Sequence, residues 1–155
     1  MNKKIATMGF AATMLFAVNC KPKAAAGAEA GKSVKWDCKF TGDYKEKSGG
    51  TGKFTWNVMW VESEATSTLS GTGKDEGGES TTTGTCDKNS CKVQETYTSG
   101  PMKGKTGYWA FTYQDAETKS ETVYVTTFQG TFGPSEADRA SLGTLSAKAD
   151  CKAAQ

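Results

Sequence analysis

The alternation of apolar and polar residues at every second position is the feature that most constrains the fold of this chain. In the segment VKWDCKF, apolar residues from Val34 to Phe40 alternate with lysine and aspartate. The segment KFTWNVMWV repeats this pattern from Phe54 to Trp60. A period of two places one set of side chains on a single face of a β-strand. Both segments are therefore predicted to be strands with one buried face.

Candidate strands and turns follow one another to the end of the chain. Six further candidate strands are TSTLSGTGK, GESTTTGTC, CKVQETYTS, KTGYWAFTYQ, ETVYVTTFQGTF and LGTLSAKAD. Clusters rich in glycine or polar residues separate them, including Ser48 to Gly50, Glu76 to Gly78 and Asp115 to Ser120, and such clusters predict turns. Eight short strands at a spacing of roughly 12 residues are typical of an all-β barrel or sandwich.

Short connections favour a barrel in which each strand pairs with the next. No connection is long enough to need a crossover, although GPSEADRAS (133–141) is predicted to form one helical turn across a barrel end. The predicted fold class is all-β, an eight-stranded antiparallel up-and-down barrel over residues 34–152. Closure of the barrel would remove exposed sheet edges. An immunoglobulin-like β-sandwich is the alternative.

The first 19 residues have the pattern of a cleaved signal peptide. Lys3 and Lys4 precede an apolar stretch from Ile5 to Val18, which is too short for a convincing membrane-spanning helix. These two lysines account for the whole formal charge excess of +2, so the remainder of the chain is neutral. A neutral domain lacks the basic patch expected of a nucleic-acid-binding protein.

The residues Ala17-Val18-Asn19-Cys20 resemble the lipobox of bacterial lipoproteins, and Asn19 is similar to the relaxed lipobox of spirochaetes. The resemblance implies that Cys20 carries lipid and anchors the chain to the outer membrane as a lipoprotein of the cell envelope, on either the surface or the periplasmic face. Residues 20–33, rich in alanine, glycine and lysine, would form a tether. The alternative is a soluble periplasmic protein with a free Cys20.

Five cysteines are an odd number for an exported chain, and lipid on Cys20 would leave four to form disulfides. Four cysteines allow three connectivities. The segment CDKNSC has the composition of a hairpin loop and favours Cys86 with Cys91, which leaves Cys38 with Cys151 in the first and last strands. No C-x2-C pair is present, so a zinc site is not predicted.

Candidate catalytic groups are scarce. The chain contains no histidine, the commonest general base and a common metal ligand. Glu62 and Glu64 are two residues apart on a predicted strand, which is more typical of a solvated strand end than of a catalytic pair. The sequence therefore predicts a protein that is not an enzyme, with no cofactor and no metal.

Aromatic residues are abundant for so polar a chain. The serial segments LSGTGKDEGG, ESTTTGTC, CKVQETYTSG, GYWAFTYQ, FQGTFG and GTLSAK resemble lipocalin-like, or calycin, β-barrels over most of residues 34–151. An eight-stranded barrel is filled by side chains or holds one small ligand. In the first case the rings fill the core. In the second, Trp56, Trp60 and Phe111 line a pocket, although the inward face of the strand containing Phe111 is ambiguous.

Three functions remain open from the sequence. The first is an envelope lipoprotein that binds a host macromolecule or a small apolar ligand. The second is an inhibitor of lysozyme or of a secreted protease, because Trp36-Asp37-Cys38 resembles the aromatic-x-Cys opening of lipoprotein lysozyme inhibitors. The expected serine-glycine-arginine-tyrosine loop is replaced by Ser70 to Gly73. The third is a structural coat protein of the envelope.

Overall fold

The computed structural model describes residues 33–63, 66–87, 89–114, 117–120 and 122–155. The predicted signal peptide (1–19), Cys20 and nearly all of the tether lie outside the described residues, as does Glu64. The interpretations placed on them stay predictions. Within the described part of the chain, no helix is long and apolar enough to cross a membrane.

Over the described ranges, nine antiparallel strands form one sheet that closes on itself. The strands are β1 (Val34–Glu46), β2 (Thr51–Glu62), β3 (Ser67–Asp75), β4 (Gly78–Asp87), β5 (Ser90–Tyr97), β6 (Thr106–Tyr113), β7 (Glu117–Ser120), β8 (Val123–Gly133) and β9 (Gly143–Ala153). Each strand from β1 to β5 pairs with the next, β9 pairs with both β1 and β8, and β8 pairs in addition with β6 and β7. The predicted closed eight-stranded antiparallel barrel is confirmed, with β7 as an addition to it.

The short strand β7 lies where the sequence predicted only a turn. It forms a hairpin with the first residues of β8, with Glu117 opposite Val125 and Ser120 opposite Val123. The last residues of β8, from Phe128 to Gly133, pair instead with β6. A single long strand therefore serves both the β7 hairpin and the closure of the barrel.

The segment between β8 and β9 contains bends and no helical turn, which corrects the sequence-based prediction. Its backbone N–H groups bond to a side chain: Ala140 and Ser141 donate to Asp138 Oδ1 at 3.2 and 3.0 Å. Leu142 N–H donates to the carbonyl oxygen of Phe132 at 3.1 Å. Side-chain acceptors of this kind compete with helical hydrogen bonds, and here they hold an irregular loop.

Both disulfides favoured by the sequence are present. Cys38 lies directly opposite Cys151 in the β1–β9 ladder, and Cys86 lies directly opposite Cys91 in the β4–β5 ladder. Both pairs are bonded, and all four cysteines are buried in the core cluster. The first bridge joins the first and last strands of the barrel, and the second joins the two strands of one hairpin.

The core is the barrel interior, and it consists mainly of aromatic side chains. The alternation in β1 and β2 directs their apolar residues inward, as the sequence predicted. In β6, Trp109 and Phe111 are buried whereas Ala110 is partly exposed, which resolves the ambiguity in that strand. The inward face of β6 is therefore the tryptophan–phenylalanine face, and Phe111 belongs to the interior.

Candidate functional site

The three aromatic residues that the sequence singled out as pocket-lining all lie inside the barrel. Trp56, Trp60 and Phe111 are buried, and the ring centroids of Trp56 and Phe111 are 6.1 Å apart. Phe40 contacts all three, with centroid distances of 6.0 to Trp56, 6.5 to Trp60 and 6.4 Å to Phe111. In this structure the rings pack on one another, and their contact with a ligand stays a prediction.

A carboxyl group lies among these rings. Glu95, on the inward face of β5, is 0 % exposed. Its Oε1 accepts hydrogen bonds from Trp56 Nε1 at 3.0 Å and from Ser80 Oγ at 2.6 Å. A buried carboxyl group is costly unless it is paired, so its position inside an aromatic core requires an explanation.

Polar atoms around Glu95 are incompletely satisfied. Glu95 Oε2, Thr82 Oγ1 and Trp109 Nε1 are buried and have no hydrogen-bond partner. Thr82 is directly opposite Glu95 in the β4–β5 ladder, and both side chains face inward. Each unpaired buried group costs about 1–3 kcal/mol. The interior therefore contains a cluster with both unused donor and unused acceptor capacity, which we call the Glu95 cluster (Trp56, Ser80, Thr82, Glu95 and Trp109).

The environment of Glu95 favours its neutral form. Burial raises the pKa of the Glu95 carboxyl above its usual range, and the nearby charge of Asp75 raises it further. The O–H group of Ser80 and the indole N–H groups of Trp56 and Trp109 lower the pKa of the carboxyl, but burial outweighs them. Among the described residues the ion pairs are Arg139–Glu136 and Lys148–Asp150, so no lysine or arginine there neutralises Glu95.

The absence of a side chain at Gly73 gives the Glu95 cluster its space. A Cβ atom at Gly73 would lie 2.6 Å from Trp56 Cδ1 and 2.7 Å from Glu95 Oε1, and it would also overlap Ser80 Oγ. Contacts this short would force the side chains apart. Glycine on β3 therefore lets the carboxyl, hydroxyl and indole groups meet inside the barrel.

One end of the barrel, at the β1–β2 and β3–β4 turns, has two tyrosine–carboxylate hydrogen bonds. Tyr44 donates to Glu76 and Tyr97 donates to Asp75, both at 2.6 Å. The bond from Tyr44 lowers the pKa of Glu76, while burial raises the pKa values of both tyrosines. An open groove of about 620 Å³ at this end is lined by β1, β2 and β9 residues together with Glu76.

The opposite end, where β1 begins, contains a second group of inward-facing aromatic residues. It consists of Trp36, Trp60, Tyr113 and Tyr124 around the carboxylate of Glu62, and we call it the Glu62 cluster. Trp36 and Trp60 are directly opposite each other in the β1–β2 ladder. Trp36 Nε1 donates to Glu62 Oε2 at 3.2 Å. Glu62 is therefore a half-buried carboxylate with an aromatic neighbour, rather than a solvated strand end.

Neither carboxyl group was singled out as a ligand-contacting residue by the sequence. The sequence feature that indicates the position of Glu95 is the alternation in β5, because Cys91, Val93 and Tyr97 lie on the same face of the strand as Glu95. The same parity connects Glu62 with Trp60 on β2. Within the described residues, no three side chains of the cysteine, aspartate or glutamate type come together as potential metal ligands.

Comparisons with other proteins add little to this picture. No family model matches the sequence, and the search of curated proteins gave no significant match. Among solved structures, the crystal structure of the ywiB protein from Bacillus subtilis is 8% identical, with a TM-score of 0.43 over 79% of this chain and 94% of that one. EF1p2_mFAP2b bound to DFHBI is 13% identical, with a TM-score of 0.34 over 75% and 91%. The fold assignment rests on this chain's own strand pairing.

Proposed function

We propose that this chain is a non-enzymatic binding protein of the bacterial cell envelope. In this proposal a lipid on Cys20 anchors it to the outer membrane, and the barrel interior binds a small, largely apolar ligand. The Glu95 cluster is the observation that carries the proposal. Ligand sites are mainly apolar with a few convergent polar groups, and groups with perturbed pKa values concentrate at such sites.

The unpaired atoms of the Glu95 cluster indicate what kind of ligand would bind. Thr82 Oγ1 and Glu95 Oε2 have no hydrogen-bond partner, and Trp109 Nε1 lies near enough to the Glu95 carboxyl to lower its pKa but forms no hydrogen bond of good geometry. A ligand with one polar group on an apolar body would satisfy these atoms and replace ring–ring contacts around Trp56 and Phe111. Such a ligand recovers the free energy that the unpaired groups cost in the empty barrel.

Burial of the Glu95 cluster supports binding rather than catalysis. Ser80 and Glu95 form a hydroxyl–carboxyl pair, but they are 2% and 0% exposed. The chain also contains no histidine that would activate the hydroxyl. A group enclosed in this way is suited to holding one ligand in place.

The first test is native mass spectrometry of full-length protein extracted from membranes in mild detergent. The expected result is a protein mass that includes acyl chains and one retained small molecule. The Cys20→Ser variant should lose the acyl mass and no longer partition with membranes. Fractionation that leaves this variant in the membrane, with its acyl mass intact, would overturn the anchoring part of the proposal.

The second test is titration of the same protein with the apolar dye Nile red, followed by dye and tryptophan fluorescence. We expect saturable binding that Glu95→Gln weakens or strengthens at least threefold. Glu79→Gln, the same change at an exposed position on β4, is the matched control and should have no effect. A ligand-free protein that excludes the dye would contradict the binding function.

A further inference from the structure

We propose that the Glu62 cluster, at the barrel end where β1 begins, binds a small organic cation of the ammonium class. The site is distinct from the Glu95 cluster, and the inference goes beyond the binding of an apolar ligand. Aromatic faces combined with a carboxylate are the chemistry by which proteins recognise quaternary ammonium groups.

All five side chains of the Glu62 cluster lie on the inward faces of their strands. Val34 is opposite Glu62 and Trp36 is opposite Trp60 at the start of β1 and the end of β2. Tyr113 ends β6 on the face of Phe111, and Tyr124 begins β8 on the face of Phe128. Four strands therefore contribute to one cluster, which no single sequence segment would reveal.

The rings of the Glu62 cluster are arranged as corners. Trp36 and Tyr124 have centroids 4.7 Å apart and planes at 78°, and Trp60 and Tyr113 have centroids 5.6 Å apart and planes at 84°. A perpendicular pair presents the face of one ring beside the edge of the other. One of the two pairs contacts Glu62 through Trp36 Nε1, and aromatic faces beside a carboxylate are the elements of a cage that binds a cation.

The electrostatics at this end favour a positive ligand. Burial raises the pKa values of both Tyr113 and Tyr124, and the charge of Glu62 raises them further, as does that of Asp87 for Tyr113. The carboxylate of Glu62 therefore lies close enough to act on both tyrosines. Neither of the ion pairs between described residues includes Glu62. A positively charged ligand would therefore supply the counter-charge of this carboxylate.

A second observation indicates that the ligand also carries an oxygen acceptor. Trp60 is 4% exposed, and its Nε1 is a buried donor without a hydrogen-bond partner. An ammonium group cannot accept a hydrogen bond, but a hydroxyl or ester oxygen attached to it can. An ammonium compound with a nearby oxygen therefore suits both Glu62 and Trp60, and choline is the simplest probe of that description.

The experiment is calorimetric titration of the full-length protein, in a non-ionic maltoside detergent, with choline and with its uncharged isostere 3,3-dimethyl-1-butanol. Choline should bind saturably and at least tenfold more tightly than the isostere, because only the cation interacts with Glu62 and the ring faces. Tetramethylammonium, which lacks the oxygen, should fall between the two. Equal binding of choline and the isostere, or no binding of choline, would falsify the proposal without any variant.

Variants locate the site. Glu62→Gln keeps an acceptor for Trp36 Nε1 but removes the charge, and it should weaken choline binding at least tenfold with an unchanged melting temperature. Glu79→Gln is the exposed control, and Glu95→Gln should leave choline binding intact. If Glu95→Gln abolishes choline binding and Glu62→Gln does not, the cation binds at the Glu95 cluster and the inference is wrong. Failure of the Nile red titration contradicts the apolar-ligand proposal alone and does not affect this inference.

Two sources of the ammonium group are distinguished by a third ligand. Dihexanoyl phosphatidylcholine, added below its micelle concentration, presents the same group as a lipid headgroup. Binding at least tenfold tighter than that of choline assigns the site to headgroups, and binding weaker than that of choline assigns it to a free metabolite. Both outcomes require the loss of affinity in Glu62→Gln.

Discussion

Glu95 shows how the position of one residue alters the chemistry of the whole interior. Trp56 and Ser80 both donate to the same carboxyl oxygen, and the other oxygen has no partner. The arrangement depends on Gly73, because a side chain there would occupy the space of the hydrogen bonds. A single inward-facing glutamate thus makes an otherwise apolar interior capable of polar recognition.

The stability of the protein should depend on pH through Glu95. Its pKa is raised on folding, so the folded state binds a proton that the unfolded state releases as the pH rises above about 4.5. The free energy of unfolding therefore falls with rising pH, by up to about 1.4 kcal/mol per pH unit, until the folded carboxyl also ionises. Glu95→Gln, which does not titrate, should be more stable than the wild type by an amount that grows across this window.

Urea denaturation of wild-type and Glu95→Gln protein between pH 4 and 8 measures this difference. Glu79→Gln, exposed on β4, should give a curve parallel to the wild type. A constant difference between the Glu95→Gln and wild-type curves over the whole range would show that Glu95 ionises normally in the folded protein.

At the residue scale, the sequence predicted the inward rings of β1 and β2, left the inward face of β6 open, and did not identify the two carboxyl groups beside the rings. Both Glu95 and Glu62 lie at positions that alternate with the outward-facing residues of their strands, which puts them on the inward faces. Glutamate is ordinarily exposed, and hydrogen bonds from Trp56, Ser80 and Trp36 come from other strands. Those partners depend on register across the sheet, which strand periodicity does not determine.

At the scale of elements, β7 differs from the other strands. It contains four residues, and its register with β8 shifts between Thr118 and Ser120. Within the described residues it pairs on one side alone, whereas β6 pairs with β5 and β8. A strand with one neighbour loses its hydrogen bonds without disturbing the closed barrel.

We therefore expect the backbone amides of residues 117–120 to exchange with solvent by local opening. Their exchange should be at least about 100-fold faster than that of amides in β1, which opens with the barrel as a whole. Hydrogen–deuterium exchange measured by NMR tests this, with Trp109 and Phe111 in β6 as slow references. Equal protection of β7 and β6 would mean that β7 unfolds only with the barrel.

Of the nine strands in the described residues, the sequence predicted eight, because two have a clear alternating pattern and six are set off by glycine-rich or polar turns. It missed β7, which lies in a polar stretch whose composition predicted a turn. It also predicted a helical turn at 133–141 from composition. There the side chain of Asp138 and the hydrogen bonds from Arg139 Nη1 to the carbonyl oxygens of Val93 and Trp109 hold a loop instead.

On the scale of the whole molecule, the two disulfides should contribute very differently to stability. Their sequence separations are 113 residues for Cys38–Cys151 and 5 for Cys86–Cys91. In the chain-entropy model, loops of these lengths correspond to about 5 and about 2 kcal/mol. Replacing Cys38 and Cys151 by alanine should therefore lower the free energy of unfolding by about 3 kcal/mol more than replacing Cys86 and Cys91.

Denaturation of the two double variants, each matched for the loss of two buried sulfur atoms, measures this difference. Equal losses would show that unfolded-state entropy is not the main contribution of the long-range bridge. Both variants should keep the β-sheet circular dichroism of the wild type at low denaturant. The strands that each disulfide joins are also paired along a ladder, which does not depend on the disulfide.

The bridge between Cys38 and Cys151 also turns the barrel into a covalent ring of backbone closed by sulfur. Lys103 lies in an exposed turn between β5 and β6, inside that ring. A single tryptic cut after Lys103 opens the ring without releasing a piece of it, and the two fragments separate only after reduction. Protease treatment of intact cells, analysed without a reductant, would therefore report a cleaved and accessible protein as an intact one.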